Sequence, residues 1–273
     1  MHKNESVKYV IIDFHTHCFP DKIAEKAIEQ LRLRSGITRP FHRGTVNSLL
    51  ELQKGDGVDY SVVLNIATNP HQQTSVNNFA ISLKEVDGII PFGSVHPDSA
   101  DALSELERLK ANGIKGVKLH PDYQGFFVDE KRMLPIYEKI GELGLITLFH
   151  CGYDIGYPEP VHCTAEALAK VLPVFGGSPV VAAHFGGIWS LPETRKHLAG
   201  KNVYLDTAYC YGTITPRYAK EIIDMHGADK ILFGSDAPWN APSQDMELIK
   251  CFGLTAEEEK AVLGGNAQRL LGL

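Results

Sequence analysis

The 273-residue chain lacks several features that mark other classes of protein. It has no CxxC pair, and its five cysteines are odd in number and widely spaced, which excludes a disulfide framework or a thiolate zinc site. It has no apolar run of the roughly 20 residues that a membrane helix needs. It has no basic cluster, and 27 Lys and Arg against 33 Asp and Glu give a formal net charge of -6. This balance argues against nucleic-acid binding.

Residues 1–6 offer no apolar core of a secretory signal. Together with the cysteine usage, this favours a reducing, cytoplasmic location. No linker or shift in composition interrupts the sequence, so we expect a single domain over residues 1–273. The expected partner is a small-molecule substrate, and a homodimer is left open.

Short β-rich runs recur along the chain, and most are apolar throughout, as parallel strands buried on both faces are. We predict eight strands, at 7–17, 60–67, 89–97, 114–121, 146–151, 179–187, 202–209 and 230–239. Between them lie helical patterns such as 98–112 and 132–143, the first with Asp98 or Ser99 as its cap and Gly113 just past its end. From the second strand on, strand starts lie 23–33 residues apart, the length of one βα unit.

Eight such units predict an α/β fold, the (β/α)8 TIM barrel. The rival, a doubly wound sheet, needs a Gly-rich phosphate loop after its first strand, where this sequence has His-Thr-His. The connection after strand one, residues 18–59, is longer than the others. We expect an extra helix at 23–33 and a loop at 35–43 over the barrel mouth.

Polar side chains end several of the predicted strands, at the face where barrel enzymes assemble their sites. His15 and His17 end strand one, His150 ends strand five, His184 lies near the end of strand six, and Asp236 lies near the end of strand eight. Neutral imidazoles and one carboxylate are ligands that a divalent metal such as Zn²⁺ accepts, with a position open for water. The pattern therefore predicts a metal site, with one or two Zn²⁺ ions.

Further residues at the same face are candidates for substrate binding: Lys118, His120, His96, Arg43 and Trp239. Lys118 and His120 share one face of strand four, as His15 and His17 share one face of strand one together with Asp13. A histidine before proline also ends a strand, a loop arginine is also found solvated, and an aromatic ring also packs against a barrel, so these alternatives stay open.

The motifs resemble those of the amidohydrolase superfamily, and of its amidohydrolase-2 branch, which includes aminocarboxymuconate-semialdehyde decarboxylase. They are IDFHTH at 12–17, GVKLHP at 116–121, FH at 149–150, AHFGG at 183–187, FGSDAP at 233–238 and the carboxyl-terminal GNAQRLLGL. The resemblance implies that His15, His17 and His150 bind a metal, with Asp236 as the fourth ligand or general base. It implies that His184 binds a second metal or polarises the substrate and water.

The resemblance also leaves two roles for Lys118. As a carbamate, Lys118 would bridge two metals; as an amine, it would neutralise a substrate carboxylate, which is the role we favour. We expect a metal-dependent hydrolase of a small, carboxylated substrate, in which Asp236 takes the proton of water and His184 stabilises the developing charge. The alternatives are a decarboxylase or hydratase on the same site, and a metal-binding barrel without catalysis.

Overall fold

The computed structural model describes residues 9–36, 39–157 and 159–273. Residues 7 and 8 of predicted strand one, and residues 37 and 38 of the predicted loop 35–43, lie outside the described residues. All eight predicted strands are found, each shorter than predicted: β1 Ile12–Thr16, β2 Tyr60–Leu64, β3 Ile89–Phe92, β4 Gly116–Leu119, β5 Ile146–Phe149, β6 Val180–Ala182, β7 Tyr204–Asp206 and β8 Ile231–Leu232.

The strands pair in parallel, in chain order, in the runs β1–β2–β3 and β4 to β8. Two parallel bridges join these runs, Gly93 to Val117 at one seam and Thr16 to Ala237 at the other. Across the second seam, the backbone N–H of Phe14 donates to the carbonyl of Phe233 over 2.8 Å. The strands therefore close into a (β/α)8 TIM barrel, which confirms the predicted fold and excludes the open sheet.

Helices cover the outside and both ends of the barrel. They are α1 Asp21–Ser35, α2 Val46–Asp56, α3 Gln73–Ser82, α4 Ala102–Ala111, α5 Pro121–Gln124, α6 Leu134–Leu143, α7 Ala165–Val171, α8 Leu191–His197, α9 Pro216–His226, α10 Pro242–Lys250, α11 Ala256–Lys260 and α12 Asn266–Leu271, with a π-helix at Ala261–Gly265 before the last. Within the described ranges, no helix is both long enough and apolar enough to span a membrane.

Two predicted helices are present with different bounds. The extra helix predicted at 23–33 is α1, two residues longer at each end. The helix predicted at 98–112 begins only at Ala102, with Asp101 at its N-cap position, so the predicted caps Asp98 and Ser99 are wrong. The hydroxyl of Ser99 instead donates to the carbonyl of Pro70.

The predicted strands near the site end early because their last residues leave the extended conformation. His184 and Phe185 after β6 have φ angles of 59° and 53°, and Asp236 after β8 has a φ angle of 66°. Such left-handed residues cannot continue a strand ladder, and they are uncommon outside glycine. They turn the polar residues that follow these strands towards the barrel mouth, where the candidate site lies.

Candidate metal centre and active site

Three predicted ligands meet where β1 ends beside the residues that follow β8. One carboxylate oxygen of Asp236 lies 3.4 Å from His15 Nε2 and 3.2 Å from His17 Nε2. The three ligand atoms lie within 4.8 Å of one another. Donor atoms about 2.0–2.1 Å from a zinc ion in a tetrahedron are about 3.3 Å apart. The spacing of these three residues, the metal group, therefore suits a divalent ion.

The hydrogen bonds of the two histidines fix where their protons lie. His15 Nδ1 contacts the carboxylate of Asp206 at 2.8 Å, and His17 Nδ1 contacts the carbonyl of Leu64 at 3.0 Å. Both partners can only accept, so each Nδ1 carries a hydrogen and each Nε2 has a free lone pair. Burial, followed by the charge of Lys118, holds the pKa of His15 well below its usual value. His15 is therefore neutral, as a metal ligand must be.

A β-bulge in β1 brings both histidines to this position. The register with β2 shifts by one residue between Asp13 and Thr16. Phe14 packs inside the barrel, in a buried cluster with side chains of five other strands. The next residue, His15, points to the interior as well, where it contacts Asp236 of the metal group. Simple alternation predicted that Asp13 shares the face of the histidines. With the bulge between them, the Asp13 carboxylate instead accepts the backbone N–H groups of His15 and Ser235.

His184 and His150 form a second pair of facing imidazoles. His184 Nδ1 contacts the carbonyl of Ala208 at 2.8 Å and so carries a hydrogen. Its Nε2 lies 3.1 Å from His150 Nδ1. As a hydrogen bond, this contact makes His150 the donor, and the buried Nε2 of His150 then holds a lone pair that no described residue satisfies. The structure thus places His150 beside His184. The unsatisfied Nε2 of His150 lies among residues that are not part of the metal group.

The residues around that free atom are His120 and Asp154, whose donor atoms also lie within 4.8 Å of His150. One oxygen of Asp154 is 3.4 Å from His120 Nε2 and 3.8 Å from His150 Nε2. However, His120 Nδ1 accepts the backbone N–H of Tyr123, so the hydrogen of a neutral His120 ring lies on Nε2. His120 is therefore a donor towards Asp154, which makes this second cluster a poorer metal site than the first.

Lys118 is fully buried beside the metal group. Its Nζ lies 3.4 Å from His15 Nε2. Burial lowers the pKa of Lys118 to about 8, although the carboxylates of Asp206 and Asp236 oppose this shift. A buried amine is thus held inside the barrel beside the metal group.

The other predicted substrate-binding residues lie further out. His96 is buried, and its Nδ1 accepts the backbone N–H of Asp98. Burial lowers its pKa, and the charges that also affect this pKa are those of Asp98 and Arg132. Arg43 is exposed, and no described contact joins it to the metal group. Trp239 is half-buried, and its backbone N–H donates to the carbonyl of Asp236 over 2.8 Å.

Comparison with known families places this site in context. The sequence profile described as "Amidohydrolase" matches residues 12–273. The chain belongs to the Amidohydrolase family. This confirms the resemblance on which the motif analysis relied.

Individual relatives of this Amidohydrolase family chain are distant. It is 28% identical to the 2-amino-3-carboxymuconate-6-semialdehyde decarboxylase of Dictyostelium discoideum over 210 residues, which are 63% of this chain and only 57% of that protein. A TIM-barrel protein of Bordetella bronchiseptica has the same fold, with a TM-score of 0.76, 20% identity, and 96% and 98% of the two chains covered. So does a manganese-containing dihydroxybenzoic acid decarboxylase of Polaromonas sp. JS666, with a TM-score of 0.73, 16% identity, and 97% and 98% covered.

Three residues of this amidohydrolase site were not singled out in the sequence: Asp206, Asp154 and His42. Asp206 lies in predicted strand seven, but a lone carboxylate there carries no spacing motif. Asp154 lies in the loop after β5, where nothing in the sequence fixes its direction. His42 is buried next to the exposed Arg43; burial lowers its pKa to about 4, and the charge of His17 adds to the shift.

Proposed function

We propose that this protein is a metal-dependent decarboxylase of a small carboxylic acid. The observation that carries the proposal is the buried amine of Lys118, 3.4 Å from His15 Nε2 in the metal group. Burial lowers the pKa of Lys118 in spite of the nearby carboxylates of Asp206 and Asp236, so its ammonium form is still costly, and a substrate carboxylate would offset more of that cost. The name of the Dictyostelium relative supports the same reaction type. This proposal replaces hydrolysis, our expectation from the sequence, as the first candidate.

The metal would be held by His15, His17 and Asp236, whose free lone pairs and spacing fit a divalent ion, and we propose Zn²⁺. His150 and His184 would face each other beside the ion, with His150 as a further ligand only if its ring turns. When bound, the ion would polarise a substrate oxygen and so stabilise negative charge next to the carbon that loses carbon dioxide. The backbone and carboxylate acceptors behind the histidines hold their rings in place.

The side chains would then carry the proton transfer. Lys118 would bind the carboxylate that leaves, which breaks a carbon–carbon bond and leaves an electron pair on the substrate carbon. That carbon must gain a proton. His184 is suited to relay it, because Nδ1 stays on the carbonyl of Ala208 while Nε2 would receive the Nδ1 proton of His150 and pass it to the carbon. His150 would replace that proton at its unsatisfied Nε2 with one from solvent water.

Hydrolysis is the second candidate, and the position of Asp236 favours it. Its side chain is 14% exposed, so water can reach this carboxylate while it contacts both histidines of the metal group. In that reaction Asp236 would take the proton of water and pass it to the leaving group.

The identity of the product separates these candidates. Purified protein with its metal content measured is incubated with the semialdehyde acid named for the Dictyostelium relative, with other unsaturated and aromatic acids, and with amides and lactones. We expect carbon dioxide in a one-to-one ratio with the acid consumed, and none from His15→Ala combined with His17→Ala, which should not hold the metal. Ammonia or a new acid without carbon dioxide would establish hydrolysis, and metal binding without any turnover would favour the non-catalytic barrel.

A further inference from the structure

His42 lies against the two chain segments that carry the metal group. The backbone N–H of Phe41 donates to the carbonyl of Pro238, two residues after Asp236, over 2.8 Å. On the other side, the N–H of Phe19, two residues after His17, donates to the carbonyl of Gly44 over 2.7 Å. His42 is thus fixed between these anchors, and burial, followed by the charge of His17, lowers its pKa to about 4.

The ring of His42 has one satisfied nitrogen and one unsatisfied nitrogen. Nδ1 accepts the backbone N–H of Gly44 at 3.0 Å, so the hydrogen of the neutral ring lies on Nε2. Nε2 is buried, and it has no hydrogen-bond partner in the described part of the chain. A buried donor without an acceptor destabilises a fold, and such donors in native structures call for an explanation.

We propose that His42 binds the substrate through its Nε2–H, as the donor to a second acceptor oxygen that is not the oxygen held by Lys118. The substrate is then a small acid with a further carboxylate or carbonyl oxygen on the side of the site formed by residues 41–44. This inference rests on the proposed function in one respect, that the ligand is a carboxylic acid. It also explains why Arg43, the residue chosen from the sequence, is exposed whereas its neighbour points inward.

Two substitutions of His42 separate binding from structure. His42→Asn keeps an acceptor oxygen where Nδ1 meets the N–H of Gly44, but it has no donor at the position of Nε2. His42→Gln places an amide N–H near the position of Nε2, but it gives up the acceptor for Gly44. If Nε2–H binds the substrate, substrate affinity should survive in His42→Gln and fall in His42→Asn. If His42 only holds the backbone of Gly44, His42→Asn should be the milder change and His42→Gln the more damaging one.

The probes are glutarate and valerate, which have the same carbon chain but two carboxylates and one. Calorimetric titration of the Zn²⁺-loaded protein should show glutarate binding about tenfold tighter than valerate, the value of one hydrogen bond to a charged acceptor. His42→Gln should keep most of this ratio, and His42→Asn should reduce it to that expected from charge alone. Lys118→Met should weaken both probes and leave the ratio in place.

The inference would be overturned if the wild-type protein bound glutarate and valerate equally tightly. It would also be overturned if neither probe bound measurably. A ratio that His42→Asn leaves unchanged would overturn it as well, because that result would indicate that only buried water meets Nε2. If neither variant folds, the ring ¹⁵N spectrum of the wild-type protein decides, because Nε2 of His42 should shift with glutarate and not with valerate. The glutarate-to-valerate ratio could depend on His42 while no tested acid releases carbon dioxide. That result would refute the proposed function and leave the role of His42 in binding intact.

Discussion

His15 donates its Nδ1–H to the carboxylate of Asp206 over 2.8 Å, with both side chains fully buried. The other oxygen of Asp206 accepts the backbone N–H of His184 at 2.7 Å and that of Ala208 at 3.1 Å. One carboxylate at the end of β7 therefore orients a proposed metal ligand and fixes the backbone of the proposed proton donor. Asp206 is a positioning residue for both.

The first prediction concerns this carboxylate. Asp206→Asn should weaken metal binding about 10–100-fold, as is typical when the group behind a metal-bound histidine is lost. The amide cannot accept from His15 and from both backbone N–H groups at once, because one of its two atoms is a donor. Zinc affinity is measured by competition with a chromophoric chelator.

The matched control for Asp206 is Asp224→Asn, on the exposed face of α9. It should leave the zinc affinity unchanged. An Asp206→Asn protein with wild-type zinc affinity would show that the contact with His15 has no part in holding the metal.

The second prediction concerns Asp236. Asp236→Asn should retain much of the bound metal, because an amide oxygen can coordinate. In hydrolysis, turnover should fall at least about 10²–10⁴-fold, since the amide accepts no proton. In decarboxylation, where Asp236 moves no proton, turnover should follow the metal occupancy. The fold should survive, because asparagine tolerates the left-handed φ of 66° at this position. His15→Ala combined with His17→Ala should instead lose the metal. Turnover close to wild type at matched metal occupancy would exclude Asp236 from proton transfer.

The third prediction concerns Lys118. If its amine binds a substrate carboxylate, Lys118→Met should keep the metal count and raise KM about 10–100-fold, the value of one charged contact in a partly dry site. The control is Lys115→Met, because Lys115 donates to the carbonyl of Leu271 beside the carboxyl-terminal helix and should not affect KM.

The competing role of Lys118 makes a different forecast for the same protein. A carbamate that bridges two ions would be lost in Lys118→Met, so the metal content would halve. Reconstitution of the wild-type metal centre would then depend on bicarbonate. That result would require a two-metal site in which His150 and His184 hold the second ion.

The sequence predicts the barrel and much of the site for a simple physical reason. Parallel strands of one barrel all end at the same face, so polar residues at strand ends must lie near one another. That rule predicts that His15, His17 and Asp236 lie near one another, and the β-bulge in β1 sets the final position of the two histidines. The β-bulge that separates Asp13 from them follows no such rule, because a bulge inserts one residue without changing the apolar pattern.

The loop residues could not be chosen from the sequence. Residues 39–45 have no strand or helix periodicity, so nothing indicates that His42 is buried and Arg43 exposed. The direction of this segment depends on hydrogen bonds to Phe19, in the loop after β1, and to Pro238, in the loop after β8. Asp206 was missed for a related reason, since its role depends on contact with a strand nearly 200 residues away.

The fourth prediction concerns the attachment of the π-helix to the barrel. A Cβ on Gly264 would lie only 1.9 Å from the backbone oxygen of Val10, just before β1, far inside van der Waals contact. Gly264→Ala should therefore lower the free energy of unfolding by about 1–3 kcal/mol or more, as overpacking against backbone does. Gly265→Ala is the matched control, because its Cβ would approach no atom closer than 3.6 Å. Urea denaturation checks both, and equal stability of the two variants would contradict the packing argument.

The position of the metal tests the account most directly. Crystals of the protein, grown with zinc and measured at wavelengths above and below the zinc absorption edge, would show the ion as an anomalous peak. We expect a peak bounded by His15 Nε2, His17 Nε2 and a carboxylate oxygen of Asp236, with Lys118 Nζ beside it. A fully occupied peak between His120, His150 and Asp154 with none at the metal group, or no peak in protein that is active without metal, would contradict the account.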